Sequence, residues 1–230
     1  MWSDNRYNAL DRWNGRLIMI WKWLAVTLVL RVLWGILFNY PSYLPADFGS
    51  PFLVDREKDF HGIYRTSFYV HIVSSPIALI IGLFLVSSYS RRWLPRVHRI
   101  FGRIQIAIVC LTVAPSGIVM SFYALGGVMS TAAFLFLSVL TGATALLGFR
   151  SALLGHFKDH QRWMWRCWIL LSSAIVLRLL TMVLSPIGWE PLMLYRVNAW
   201  LSWLLPLTVL ELTNWLLREA RPQSTRSIPS

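Results

Sequence analysis

Acidic residues and cysteines are scarce in this sequence. Its 230 residues include 10 Asp and Glu against 22 Lys and Arg, and two cysteines. Cys110 lies inside an apolar run and Cys167 near the start of another, which indicates packing rather than a disulfide or a thiolate metal site. The sequence has no phosphate-binding glycine loop, nucleophile elbow or paired carboxylates, so hydrolase and kinase chemistry find no support in it.

Apolar residues are abundant instead. Hydrophobic residues make up 56% of the chain and charged residues 14%, a composition typical of a polytopic membrane protein. The net charge of +12 could suggest nucleic acid, but the basic residues form short clusters beside apolar runs rather than one soluble face. We therefore expect a lipid bilayer as the partner and no nucleic acid.

Six apolar runs predict an all-α integral membrane bundle of about six transmembrane helices within residues 17–217. They cover residues 17–40, 67–89, 97–123, 128–150, 161–184 and 197–217. An external loop at 41–66 is rich in proline, acidic and aromatic residues. Residues 1–16 predict either an amphipathic cytoplasmic helix on the membrane surface or a disordered tail, and 218–230 predict a disordered cytoplasmic tail.

Two basic stretches that contain histidine set the predicted topology. They are RRWLPRVHRIFGR at 91–103 and GHFKDHQRWMWR at 155–166. Because Lys and Arg accumulate on the cytoplasmic side of membrane proteins, both stretches and both termini are expected inside. Chemistry on the cytoplasmic side is expected between the two stretches.

Ionisable residues inside crossings are expensive to bury, and Arg31, Arg178 and Glu211 occupy such positions. At about 1.5 Å per residue, Arg31 and Glu211 lie at matching depths, which predicts an ion pair between the first and sixth helices. A structural clasp is the favoured interpretation and a proton relay the alternative.

His71 lies near the outer end of the second crossing, close to the depth of Arg178. If the second and fifth helices are neighbours, the two residues form an outer site for a quinone head group, a haem propionate or a lipid phosphate. The equal alternative is that both side chains bond to backbone carbonyls.

His98 and His160 lie at comparable inner depths on the third and fifth crossings. Two facing histidines are what axial ligation of a b-type haem requires, and Arg99, Arg103 and Arg166 would suit its propionates. The third crossing also carries a small residue, Gly102, that would admit a close partner helix. The alternative is that the histidines bond to backbone or lipid head groups. A zinc or copper site that includes His156 is the least favoured interpretation.

Several motifs together resemble a bacterial family of multi-pass membrane proteins known as a domain of unknown function. They are FYVH at 68–71, HRIFGR at 98–103, HQRWMWR at 160–166, and a later W-x-x-W with a glutamate. The resemblance covers about residues 65–217 and implies a helical bundle of the bacterial inner membrane without an established activity. It also implies a kernel formed by His71, His98, Arg99, Arg103, His160, Trp163, Arg166 and Arg178.

The sequence thus predicts a membrane protein that binds a b-type haem or a quinone, with catalytic residues unknown. The alternative function is a non-catalytic accessory subunit of a larger membrane complex, with other membrane subunits as partners. A transporter ranks third, because acidic residues are nearly absent from the crossings.

Overall fold

The structure is a computed structural model that describes residues 26–50, 53–54 and 56–219. Helices and turns make up these residues, and no strand occurs among them, which confirms the all-α class. The chain divides into two compact units, Met1–Glu57 and Lys58–Ser230. The amphipathic helix predicted at 1–16 lies outside the described residues, as does the predicted tail from residue 220 onward.

The first unit contains helix α1, Val26–Phe38, and a 3₁₀ turn, Tyr40–Tyr43. The Asn39 side chain donates to the Gly35 carbonyl at 2.7 Å, which satisfies a carbonyl at the end of α1. The described part of α1 is shorter than the roughly 20 residues that a bilayer requires. The first crossing therefore stays a prediction.

The second unit opens with three helices that are long and apolar enough to cross a membrane. They are α2, Gly62–Val86; a continuous helix, Pro95–Ser121; and α6, Val128–Leu153. The continuous helix consists of α4, Pro95–Ile108, a π-helical segment, Val109–Val113, and α5, Ala114–Ser121. A short helix, α3, Ser88–Trp93, joins α2 to α4. These bounds agree within a few residues with the second to fourth predicted crossings, apart from α2, which begins five residues early.

The fifth predicted crossing is bent. Helices α7, Phe157–Leu171, and α8, Ser173–Leu184, meet at Ser172, and the two segments are inclined at 46°. If they form one span, the described residues contain four candidate spans. The last helix, α9, Pro191–Glu219, has 29 residues and carries the sixth predicted crossing. The count of six and the cytoplasmic position of both termini stay predictions.

Small side chains form the centre of the second unit. The buried core includes Ala78 on α2, Val109 and Val113 on the π-helical segment, Ala145 on α6 and Cys167 on α7. Helices in lipid associate through close packing rather than through a hydrophobic driving force, and small residues allow that approach. At this core α2, the π-helical segment, α6 and α7 therefore pack against one another.

Hydroxyl groups inside the bundle bond to their own helices. Ser74, Ser138, Thr141 and Thr144 each donate to the carbonyl four residues earlier, at 2.7–2.8 Å. Since hydrocarbon offers no water as a partner, these bonds remove the penalty of burying a hydroxyl. These four hydroxyls thus do not by themselves indicate a ligand.

Candidate functional site

His160 is held by the carbonyl of a neighbouring helix. Its Nδ1 lies 2.8 Å from the Gly148 oxygen on α6. Because a carbonyl oxygen only accepts, Nδ1 carries the proton and donates it to that bond. In the neutral ring, this tautomer leaves the lone pair on Nε2.

His98 is held in a similar way at the start of α4. Its Nδ1 lies 3.1 Å from Oγ of the fully buried Ser90 on α3. The Ser90 hydroxyl has one proton, and the carbonyls of Leu85 and Ser87 both lie within its reach. When that proton goes to either carbonyl, a Ser90 lone pair accepts the Nδ1–H of His98. In that tautomer the neutral His98 ring has its Nε2 lone pair available.

The two histidines lie near one another. His98 is close enough to interact electrostatically with both His160 and Arg91. A pair of rings that are each anchored through Nδ1 and carry an unprotonated Nε2 can ligate a metal ion or accept a hydrogen bond. The predicted pairing of His98 and His160 at one depth is compatible with this arrangement.

A second pair of polar side chains lies two turns deeper on the same helices. Gln105 on α4 is buried and donates through Nε2 to the Ala78 carbonyl at 2.9 Å. Its Oε1 atom and the indole Nε1 of Trp168 on α7 have no hydrogen-bond partner among the described residues. Both side chains approach Gly82 on α2, where a Cβ would meet Trp168 Cδ1 at 2.7 Å. A buried acceptor and a buried donor therefore lie beside one glycine.

Sequence reasoning assigned the close helix approach to the wrong glycine. A Cβ on Gly102 would meet nothing within 4 Å among the described residues, so Gly102 marks no close contact. Close approaches occur instead at Gly82, Gly117 and Gly148, where an added Cβ would meet a side chain of another helix at 2.5–2.7 Å. The seven-residue spacing of His98 and Gln105 did identify the buried side of α4.

Arg166 on α7 forms a two-pronged ion pair with Glu211 on α9. Its Nε and Nη2 atoms donate to the two carboxylate oxygens at 2.6 and 2.9 Å. The guanidinium carbon also lies 4.7 Å from the centroid of the Trp163 ring, within the range of a cation–π contact. Glu211 was predicted to pair with Arg31, which belongs to the other unit, and that pairing stays a prediction.

The His-x-x-Trp-Met-x-Arg motif joins α7 to two helices. His160 bonds to Gly148 on α6, where a Cβ would meet Met164 Sδ at 2.7 Å and Trp163 Cβ at 3.3 Å. Arg166, the last residue of the motif, forms the ion pair with Glu211 on α9. The motif thus fixes the position of α7 within the bundle.

His71 and Arg178 each have a hydrogen-bond partner close by in the chain or on a neighbouring helix. His71 Nδ1 lies 2.9 Å from Ser116 Oγ on α5. Arg178 on α8 is exposed and donates to the Ala174 carbonyl at 3.0 Å. The predicted outer site shared by these two residues stays a prediction.

Arg99 and Arg103 lie on a different part of α4 from His98. At 100° per residue, Arg103 is rotated by about 140° from His98 around the helix axis. Both arginines are exposed and line a shallow groove with Arg96 and Ile100. Arg91 lies in electrostatic range of His98. The roles of Arg99 and Arg103 toward a haem propionate stay predictions.

The described part of the chain contains no larger cluster of side chains that could bind a metal ion. No group of three or more His, Cys, Asp or Glu side chains could hold a metal ion there. A metal held by protein alone would therefore have at most two such ligands among these residues. Haem differs because its porphyrin supplies the remaining ligands.

The described helices are long and apolar, bury small residues where they meet, and are joined by charged side chains. These features define a multi-pass helical membrane protein. The chain belongs to the family described as "Predicted membrane protein (DUF2306)", whose model matches residues 68–214, more than half of the chain. This confirms the resemblance stated above, and the family is one of unknown function. No curated protein and no solved structure matches the chain.

Proposed function

We propose that this protein is a redox protein of the bacterial inner membrane that holds a b-type haem or a quinone at His98 and His160. One observation supports the proposal above the others. Both rings are anchored through Nδ1 and lie within electrostatic range of one another, and a neutral ring held in this way offers its Nε2 lone pair to a ligand. An Nδ1 proton donated to a carbonyl orients a ligating imidazole and makes Nε2 more basic.

Two polar groups further along the same helices suit a quinone. Gln105 Oε1 and Trp168 Nε1 supply an acceptor and a donor without partners among the described residues. A quinone carbonyl can accept from the indole, and a quinol hydroxyl can donate to the amide. When bound, either cofactor would supply one-electron chemistry. The chain's own contribution is to orient the two imidazoles and to exclude water where α2, α4 and α7 meet.

The test uses asparagine, because its side-chain amide occupies the position of imidazole Nδ1 and offers nothing at Nε2. His160→Asn and His98→Asn keep the bonds to Gly148 and Ser90 and lose the proposed ligand atoms. His156→Asn is the matched control, since His156 is an exposed histidine four residues before His160. Visible spectra of the detergent-purified proteins are recorded after oxidation and after reduction with dithionite.

A haem site predicts a Soret band that sharpens on reduction in the parent and in His156→Asn and disappears in the other two variants. A quinone site predicts a colourless protein from which about one quinone per chain is extracted by solvent, with the same dependence on the variants. A folded, colourless protein without quinone, produced with adequate haem supply, would refute the proposal.

A non-catalytic accessory subunit of a membrane complex is the second candidate. Its support is the engagement of the motif residues in contacts between helices: His160 with Gly148, and Arg166 with Glu211. In this function no cofactor is needed, and other membrane subunits are the partners. Stable co-purification of such subunits with a chain free of haem and quinone would favour it.

A further inference from the structure

The outward face of α4 carries three arginines in one groove. Arg96, Arg99 and Arg103 line it together with Ile100. At 100° per residue these positions fall within an arc of about 100° over two turns, so the three guanidinium groups project from one side of the helix. All three arginines are exposed.

These arginines form no ion pair within the described part of the chain. The ion pairs among the described residues join Arg162 to Asp159 and Arg166 to Glu211, and neither involves the groove. The three positive charges are therefore free to bind an anion from outside the described residues. Guanidinium groups suit phosphate because they can donate two parallel hydrogen bonds to its oxygens.

An apolar surface continues from the groove along the same face. Ile100 is 56% exposed, Ile104 41% and Leu111, inside the π-helical segment, 75%. Ala107, between them, is also exposed. The helix thus presents positive charge at its start and uncovered aliphatic side chains over the following turns.

We propose that Arg96, Arg99 and Arg103 bind the phosphate of one anionic phospholipid, with an acyl chain lying along Ile104 and Leu111. Along this helix face positive charge is followed by apolar surface, and in a lipid the charged head group is followed by the acyl chain in the same order. A free phosphate would use the arginines and leave the aliphatic surface uncovered. This site uses the arginines of α4 and is independent of the histidine site.

Native mass spectrometry of the full chain in detergent micelles tests the proposal. The probes are dioleoyl phosphatidylglycerol, dioleoyl phosphatidylcholine and inorganic phosphate. The variant is Arg96→Gln/Arg99→Gln/Arg103→Gln. The matched control, Arg92→Gln/Arg150→Gln/Lys158→Gln, removes the same charge from exposed positions at the same predicted membrane face.

The parent and the control should retain one phosphatidylglycerol in preference to phosphatidylcholine. The groove variant should bind it more weakly by roughly tenfold or more, since several arginines near the lipid phosphate are lost. Equal weakening in the variant and the control would overturn the site in favour of a general charge effect. Displacement of the lipid by millimolar inorganic phosphate would overturn the role of the acyl chain. Retention of an acidic protein in place of lipid would also overturn the proposal.

Discussion

Replacing Glu211 by glutamine removes the carboxylate that Arg166 contacts between α7 and α9. The geometry of the pair determines how large the effect should be. The Arg166 side chain is 20% exposed and the Glu211 side chain 44% exposed. The arginine is thus mostly covered by protein, and without its partner it becomes a charge with little solvation.

The expected loss lies between two limits. Exposed ion pairs contribute about 0–1 kcal/mol, whereas leaving a buried charge without its partner costs about 3–5 kcal/mol. For Glu211→Gln we expect a decrease of about 2 kcal/mol in the free energy of unfolding, because Trp163 still covers Arg166 and glutamine accepts one hydrogen bond. Arg166→Lys should lower it by about 1 kcal/mol, since lysine keeps the charge and loses the fork geometry.

A double-mutant cycle with methionine isolates the pair. Arg166→Met, Glu211→Met and the double variant are unfolded at equilibrium in mixed micelles, and the coupling energy is expected to be about 1–2 kcal/mol. The same cycle with Arg31→Met tests the pairing that the sequence predicted. A coupling below about 0.5 kcal/mol for Arg166, or a larger one for Arg31, would show that the reasoning from this geometry is wrong.

Two further predictions concern packing and the outer histidine, and both are read out by unfolding in detergent. Gly82→Ala should destabilise the protein by about 1–3 kcal/mol, because the new Cβ would lie 2.7 Å from Trp168 Cδ1. Gly102→Ala should leave stability unchanged or raise it slightly; a larger loss at Gly102 than at Gly82 would contradict the packing. Ser116→Ala should lower stability by about 1 kcal/mol because His71 loses a hydrogen bond. Ser116→Thr, which keeps the hydroxyl, should recover most of that loss, and equal effects of both changes would argue against the bond.

The sequence predicted the helices of the second unit well, because bilayer thickness sets the length of an apolar run. The third crossing, expected at 97–123, is Pro95–Ser121, and the fourth, expected at 128–150, is Val128–Leu153. The π-helical segment and the bend at Ser172 were missed. Apolar composition does not record which carbonyl each backbone N–H reaches, so these breaks leave no signal in a hydrophobicity pattern.

Pairing between helices was harder to predict than depth. Spacing along the chain gives the depth of Glu211, and several arginines share a given depth. Which one it contacts depends on the rotation and neighbours of each helix, and these follow from close approaches such as the one at Gly148. Arg166 was counted with the basic stretch at the membrane face, so its role between helices became apparent only in the structure.

The π-helical segment, Val109–Val113, has a consequence for comparing family members. A π-helix accommodates one residue more than an α-helix of the same turn, and it widens the turn without moving the helices on either side. A homologue with one residue fewer in this region can therefore keep the same contacts on both sides by using a regular α-helical turn. We expect single-residue gaps in alignments of this family to fall at 109–113, where a change in chain length alters the backbone hydrogen bonds and leaves the rest of the bundle in register.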